Sequence, residues 1–235
     1  MVRNEQIERK VRHNVFDEYT ERLLFRLQGQ GFFEELVSAI GVGKEANVFT
    51  ARKKDGSFVI VKIYRLEACN FNKMYSYIRQ DPRYLSVSNQ RRKTIFFWVE
   101  REYRNLLKAR EVIRVPTPHT RRDHVLVMEL IGHGNTPSQL LKDATPEDPK
   151  AFFDEVIAMV EKLWRAGLVH ADLSEFNIIN HEERPVFIDM SQSTVTENHE
   201  AREYLRRDLT IICKHFRKLK VASDPEKLFE RITRN

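Results

Sequence analysis

The sequence predicts an α+β chain of two lobes, β-rich first and helical second, with a short hinge near 129–135. Three observations lead there. Short apolar runs, several alternating with period two, read as strands over 36–65 and again over 124–131. The stretch 132-GHGNTP-137 then interrupts them with turn-forming residues. Beyond it, apolar residues recur at helical spacing. The division expected is a helical extension over 1–34, an N-lobe over 35–131 and a C-lobe over 132–235.

The elements follow in chain order. Residues 3–28 are charged, with apolar punctuation at Val11, Val15, Tyr19, Leu23 and Leu27, and predict an amphipathic helix. Strands are expected over 36–41, 46–53 and 57–65, the last two joined by an Asp55-Gly56 hairpin turn. The segment 66–88 reads as a loop, because Asp81-Pro82 breaks a helix. A long helix is expected over 89–111, a turn bracketed by Pro116 and Pro118, and an apolar strand over 124–131. In the second lobe, Thr145-Pro146-Glu147-Asp148 reads as a helix start with Thr145 as cap. Phe152, Phe153, Val156, Ile157, Val160, Leu163 and Trp164 recur on one face as a core stripe, and Gly167 ends that helix. Two short runs around 180-NHEER-184 make a small hairpin, and helices follow at 199–219 and 224–234.

Composition narrows the function classes. Hydrophobic residues make up 41% of 235, both charge signs are abundant, and no apolar run is long enough to span a bilayer. The first twenty residues lack the apolar core of a secretory signal. Two cysteines, Cys69 and Cys213, have no CxxC spacing and read as reduced thiols of a cytoplasmic protein. The net charge of +6 is unevenly spread. Basic residues concentrate between Ser86 and Asp123 and again between Arg202 and Lys220, as solvated helix faces or as a surface for a polyanion such as RNA.

Five features carry chemistry, in a fixed order. The first is 41-GVGKEANV-48 between two strands, where glycines let backbone N–H groups approach phosphate. The second is Lys62, set among Val61 and Ile63; a lysine buried there must find an anion. The third is a helix with two candidate partners, Glu100 and Glu102. The fourth is 168-LVHADLSEFNIIN-180, where Asp172 can accept a hydroxyl proton and Asn177 can offer a neutral oxygen to a metal ion. The fifth is Asp189 after the apolar run VFI, a carboxylate able to share a Mg²⁺ with Asn177.

This ordered set resembles the protein-kinase signature, and it implies a two-lobed protein-kinase-like fold with a truncated helical C-lobe. There are four departures. Ala46 replaces the third glycine of GxGxxG, His170-Ala171-Asp172 lacks the arginine of HRD, and Asp189-Met190-Ser191 replaces DFG. No APE-like sequence follows, and the chain beyond Asp189 is short for an activation segment, so a normal peptide groove is not expected. GKEANV, KIYR, 98-WVEREYRNL-106, LVMELIG, LVHADLSEFN and IDMSQS together are similar to the RIO family of atypical serine kinases over 35–215. The helix at 3–28 is too short for the winged-helix domain of the second subfamily. Residues 66–88 resemble the flexible loop of subfamily one, and the compact chain resembles an archaeal member.

The resemblance implies roles residue by residue. Gly41, Gly43, Lys44 and Glu45 form a shortened phosphate loop, with Val48 at the nucleotide. Lys62 holds phosphates and pairs with Glu102. Glu129 and Ile131 offer backbone groups to adenine beside Met128. Asp172 is the catalytic base, and Asn177 and Asp189 ligate the metal. Asp189 can itself take the γ-phosphoryl group, which makes the enzyme an ATPase switch. The implied cofactors are ATP with Mg²⁺ or Mn²⁺. The implied partners are the pre-ribosomal small subunit with its RNA and a protein substrate bearing serine, with autophosphorylation. Two rival readings stand beside this one. One is a small-molecule phosphotransferase of the aminoglycoside or choline type. The other is an RNA- or pre-ribosome-binding scaffold that ATP locks in shape.

Overall fold

β3 (Phe58–Tyr64) runs through the middle of a five-stranded antiparallel sheet, and its alternation organises the first lobe. The strand order is β1 (Glu35–Val42), β2 (Ala46–Arg52), β3, β5 (Val125–Glu129), β4 (Pro118–Arg122). The computed structural model that shows this describes residues 16–67, 71–84 and 90–234. Val59, Val61 and Ile63 point to one face, with Val125 and Val127 of β5. They pack under α1 (Glu18–Gly29) through Leu23, Leu24 and Leu27. The opposite parity, Lys62 and Tyr64 with Leu126, turns toward α3 (Arg91–Ala109), which supplies Trp98, Val99 and Glu102.

The second lobe is built on two long helices. α4 (Pro149–Arg165) buries Phe152, Phe153, Val156, Ile157, Val160 and Leu163, while Trp164 is half-buried. Each fully buried large apolar side chain contributes roughly 1.5–3 kcal/mol, so this stripe anchors the lobe. Phe152 stacks on Phe216 of α5 (Ala201–Lys218), Phe153 meets the same ring at a tilt, and α6 (Pro225–Thr233) closes the far side. Gly167 turns the chain out of α4 with φ +76°, a value that suits glycine. Four short strands follow the helix. β8 (Leu168–Val169) pairs with β11 (Thr194–Val195), and β9 (Ile178–His181) with β10 (Arg184–Phe187). The hinge carries a two-residue ladder of β6 (Gly132–His133) and β7 (Thr136–Pro137).

Several expectations need correction. The segment read as a loop contains a helix, α2 (Phe71–Gln80), followed by a 3₁₀ turn at Pro82–Tyr84. Met74 and Ile78, one helical turn apart, are buried, and that face outweighs the break at Asp81-Pro82, which only ends the helix. Pro118 does not close a turn but opens β4, an edge strand where a missing N–H costs little. The cap of α4 is Asp148, not Thr145: its Oδ1 accepts from Lys150 and Ala151 N–H at 3.0 and 2.9 Å, and Pro149 takes the first position. α1 begins at Glu18, capped by Asp17. The first part of the helix expected over 3–28, the end of 66–88 and Cys69 lie outside the described residues. Cys213 is buried and unbridged. Among the described residues no helix is long and apolar enough to cross a membrane.

Candidate active site

A cavity of about 610 Å³ opens between the two lobes, within the range of small-ligand sites. Its roof comes from the sheet, through Gly41, Val48, Ile60 and Lys62, and its floor from the second lobe, through Ile179 and Ile188. Met128, Glu129 and Ile131 form the hinge wall. Asn177 and Asp189 line the same space, so Lys62, Asn177 and Asp189 converge there, while Glu102 and Asp172 are not part of its wall.

Lys62 is where the strand's parity and the helix meet. Its Nζ lies 2.8 Å from Glu102 Oε1 and 3.1 Å from Asp189 Oδ1, and the residue is only 7% exposed. Glu102 is fully buried and also accepts from the Tyr64 hydroxyl at 2.5 Å. Burial works against the Lys62 ammonium, yet the Asp189 and Glu102 carboxylates hold its pKa well above the ordinary lysine value. Burial pushes the Glu102 carboxyl up, against the pull of Lys62. Glu100, the other candidate, is half-buried and pairs with Arg104 and Arg121 instead. Glu102 sits behind Lys62 and does not line the cavity; it orients the ammonium that does.

Asp189 keeps 40% of its side chain exposed, facing the cleft. Burial of the rest raises its pKa, but Lys62 and the Ser191 hydroxyl at 2.8 Å outweigh this and hold it below the usual aspartate range. Its backbone has φ +58°, and that of Ala171 has φ +65°, both in the left-handed region. Such conformations cost on the order of 1–3 kcal/mol each and persist where neighbours over-determine them. At Ala171 the neighbours are visible. Asp208 of α5 accepts from Ala171 N–H at 2.8 Å and from Leu173 N–H at 3.0 Å, and Arg207 donates to the Ala171 carbonyl. Asp172 is presented between those two anchored residues.

Asp172 is not among the residues that line the cavity; it stands beside it, linked through Asn177. Asn177 Nδ2 donates to the Asp172 carbonyl at 2.8 Å and reaches its Oδ2 at 3.5 Å. That bond turns the Asn177 amide oxygen the other way. The His170 ring joins the two loops: burial drives its pKa down to about 4, so the neutral ring donates from Nε2 to the Ile188 carbonyl at 3.1 Å. One carboxylate and one amide oxygen make a hard, sparse donor set. It suits a Mg²⁺ that completes its shell with water and phosphate oxygens.

Other predicted residues are placed differently. Gly43, Lys44 and Glu45 lie at the tip of the β1–β2 hairpin, closed by Gly43 N–H to Ala46 carbonyl at 3.0 Å, and are not part of the cavity wall. The Glu129 carboxylate faces away, held by Arg114 and the Thr117 N–H. The Ile131 carbonyl accepts from Ser138 N–H, whereas its own N–H has no backbone partner among the described residues. Phe176, 57% exposed at the cavity rim, and Gln192, bonded to Asp172, were not anticipated. Phe176 sits between Asp172 and Asn177 in sequence, but nothing in its spacing marks it as a rim residue.

Residues 47–228 match the RIO domain. A Methanocaldococcus jannaschii protein, "RIO-type serine/threonine-protein kinase Rio1", is 41% identical over 226 residues, which cover 95% of this chain and 77% of that protein. This chain belongs to the RIO-type serine/threonine kinase family. The human relative, "Serine/threonine-protein kinase RIO1", is 34% identical across 97% of this RIO chain, which spans only 42% of the human protein. The fold matches the crystal structure of Rio2 kinase from Chaetomium thermophilum with a TM-score of 0.70 at 21% identity, covering 90% of this chain and 66% of that one. The ADP/Mg²⁺-phosphoaspartate complex of the same protein matches with a TM-score of 0.68. The RIO fold thus accounts for the β-rich first lobe and the helical second lobe.

Proposed function

We propose that this RIO-family chain is an ATP-dependent phosphotransferase that binds Mg-ATP in the cavity between its lobes. The observation that carries the reading is the Lys62 ammonium, fixed between Glu102 and Asp189 on the wall that Asn177 shares. Phosphoryl transfer demands positioning and charge neutralisation more than covalent help. Lys62 binds phosphate oxygens, and Asn177 and Asp189 hold the metal, which neutralises the triphosphate when bound. Val48, Met128 and the Glu129–Ile131 backbone receive adenine, and Gly41 lies over the phosphates. Gly43, Lys44 and Glu45 would reach the phosphates only from the hairpin tip. Asp172 orients the acceptor and takes its proton.

Two acceptors fit this machinery. One is a serine hydroxyl, on another protein or on the chain itself, deprotonated by Asp172. The other is the Asp189 carboxylate, which faces the cleft; the phosphoaspartate in the related Chaetomium complex favours it. Single turnover with γ-labelled ATP distinguishes them. An acid-stable label, on the chain or on an added protein, is phosphoserine, a label released by hydroxylamine is an acyl phosphate, and neither label together with no turnover of ATP excludes the proposal. A role in small-subunit maturation, contact with its RNA and a cytoplasmic setting belong to the same proposal. The family supports all three, and the RNA contact is further supported by the exposed Arg26 beside the half-buried Arg121 and Arg122. Labelling of a small alcohol or an aminoglycoside in preference to protein would point to the small-molecule alternative.

A further inference from the structure

Gln192 lies in the loop after Asp189, and its Nε2 donates to Asp172 Oδ2 at 2.8 Å. The orientation follows from charge, since the amide oxygen turned toward a carboxylate would repel it. The loop that carries Gln192 is pinned from below. Its own carbonyl accepts from Arg101 Nη2 at 3.0 Å, and the flanking Met190 and Ser193 carbonyls accept from Asn105 Nδ2 at 2.9 and 2.7 Å. Arg101 is almost fully buried and ion-paired to Asp81, so the platform is rigid. Gln192 itself is half-buried and reaches solvent, and among the described residues its Oε1 accepts no hydrogen bond.

We propose that Gln192 is a positioning residue for water, and that with Asp172 it makes this site hydrolyse a phosphoryl group carried on Asp189. The inference rests on the acyl-phosphate reading above. The chemistry requires a water with both hydrogens committed and a lone pair directed at phosphorus. Asp172 accepts one hydrogen and the Gln192 Oε1 accepts the other, while Nε2 keeps the two side chains in register. The water oxygen forms a new bond to phosphorus, and the bond from phosphorus to the Asp189 carboxylate oxygen breaks. Its electron pair returns to Asp189 as carboxylate, beside Lys62. The water proton passes to Asp172 and then to solvent, and inorganic phosphate leaves. No oxidant, reductant or further reactant is needed. Polar side chains that orient an attacking water serve the same purpose in other phosphoryl-transfer enzymes.

The pair would also separate two activities of one carboxylate. Transfer to a hydroxyl acceptor needs Asp172 to exchange the Gln192 amide for that hydroxyl. Hydrolysis needs the amide to stay. Gln192 therefore sets the lifetime of the phosphorylated state, and its loss lengthens that state.

The test uses the full chain, labelled with γ-³²P-ATP, freed of nucleotide by desalting and followed by loss of hydroxylamine-sensitive label. Gln192→Ala is expected to slow the decay about 10²-fold, the penalty for a misplaced reacting group. Label trapped at steady state then rises above wild type. A purely structural role predicts the reverse, with slower formation and less trapped label. Gln192→Glu places a second carboxylate against Asp172 and is expected to shift the pH profile of decay upward. Decay of Gln192→Ala at the wild-type rate, or less trapped label, overturns the inference while leaving the acyl phosphate standing. Absence of hydroxylamine-sensitive label in the wild type, or its persistence in Asp189→Asn, overturns both.

Discussion

Lys62 and Asp189 come from opposite lobes, 127 residues apart, and meet with Nζ and Oδ1 separated by 3.1 Å. Lys62 reaches the cleft because strand parity turns it from the α1 face, and Asp189 reaches it because a left-handed backbone lifts it from β10. The contact places the first lobe's cation against the second lobe's anion at the cavity that both line. A nucleotide with its metal would enter between them.

Removing that cation leaves Glu102 buried without its counter-charge. Lys62→Ala is expected to destabilise the fold by about 3–5 kcal/mol, the usual cost of breaking a buried pair from one side. Lys62→Met combined with Glu102→Leu is expected to regain most of that stability and none of the nucleotide chemistry. Denaturant titration of the single and double variants, beside turnover, checks both parts. A single variant as stable as wild type would show that the pair is not buried in solution.

Asp172→Ala is expected to lower phosphoryl transfer by about 10²–10⁴, the span of a general acid–base group. ATP affinity stays close to wild type, because Asp172 does not line the cavity. Calorimetric ATP binding and initial rates measure the two effects separately. Equal turnover by variant and wild type refutes the assignment.

Asp208→Ala removes the acceptor of two backbone N–H groups, Ala171 and Leu173. Each donor left unsatisfied costs about 1–3 kcal/mol, and the left-handed Ala171 loses its restraint. The expected result is lower stability with a disproportionate loss of rate, since Asp172 is the residue between them. Unchanged hydrogen exchange at 171–173 in the variant would contradict this account.

His124 links stability to pH away from the cleft. It is buried beneath α1, bonded through Nε2 to Thr20 Oγ1 at 2.9 Å, and burial pushes its pKa from 6.5 down to about 4. The unfolded chain therefore takes up a proton near pH 6.5 that the folded chain refuses until about pH 4. Stability present above pH 6.5 is lost as pH falls through that window, by on the order of 3 kcal/mol at 1.36 kcal/mol per unit. His124→Gln is expected to flatten the slope there by one proton. A slope identical to wild type rules out a neutral His124 in the fold.

Much of this architecture was legible because it depends on local rules. Alternation alone put Lys62 on a different face from Val61 and Ile63 and demanded an anion for it. The apolar stripe of α4 and the small β9–β10 hairpin followed from period and turn chemistry. What was not legible depends on pairs distant in the chain. The α2 helix is decided by Met74 and Ile78 meeting a core that only the folded chain assembles, and by Asp81 meeting Arg101 and Thr194. In the sequence, the Asp81-Pro82 break was the stronger signal. Gln192 could not be singled out, since a polar residue in a loop gains meaning only when a carboxylate twenty positions back arrives beside it. In the sequence only a motif separates Glu102 from Glu100; the structure buries Glu102 against Lys62 and leaves Glu100 half-buried, paired with Arg104 and Arg121.

In this reading one cleft grips a metal-bound triphosphate between Lys62 and the Asn177–Asp189 pair. A crystal structure with Mg²⁺ and a non-hydrolysable ATP analogue decides whether it does. The expected result is a metal about 2.0–2.1 Å from an Asn177 amide oxygen and an Asp189 carboxylate oxygen, with phosphate oxygens against Lys62 Nζ and adenine against the 129–131 backbone. A nucleotide seated elsewhere, or a metal held by neither residue, would contradict it.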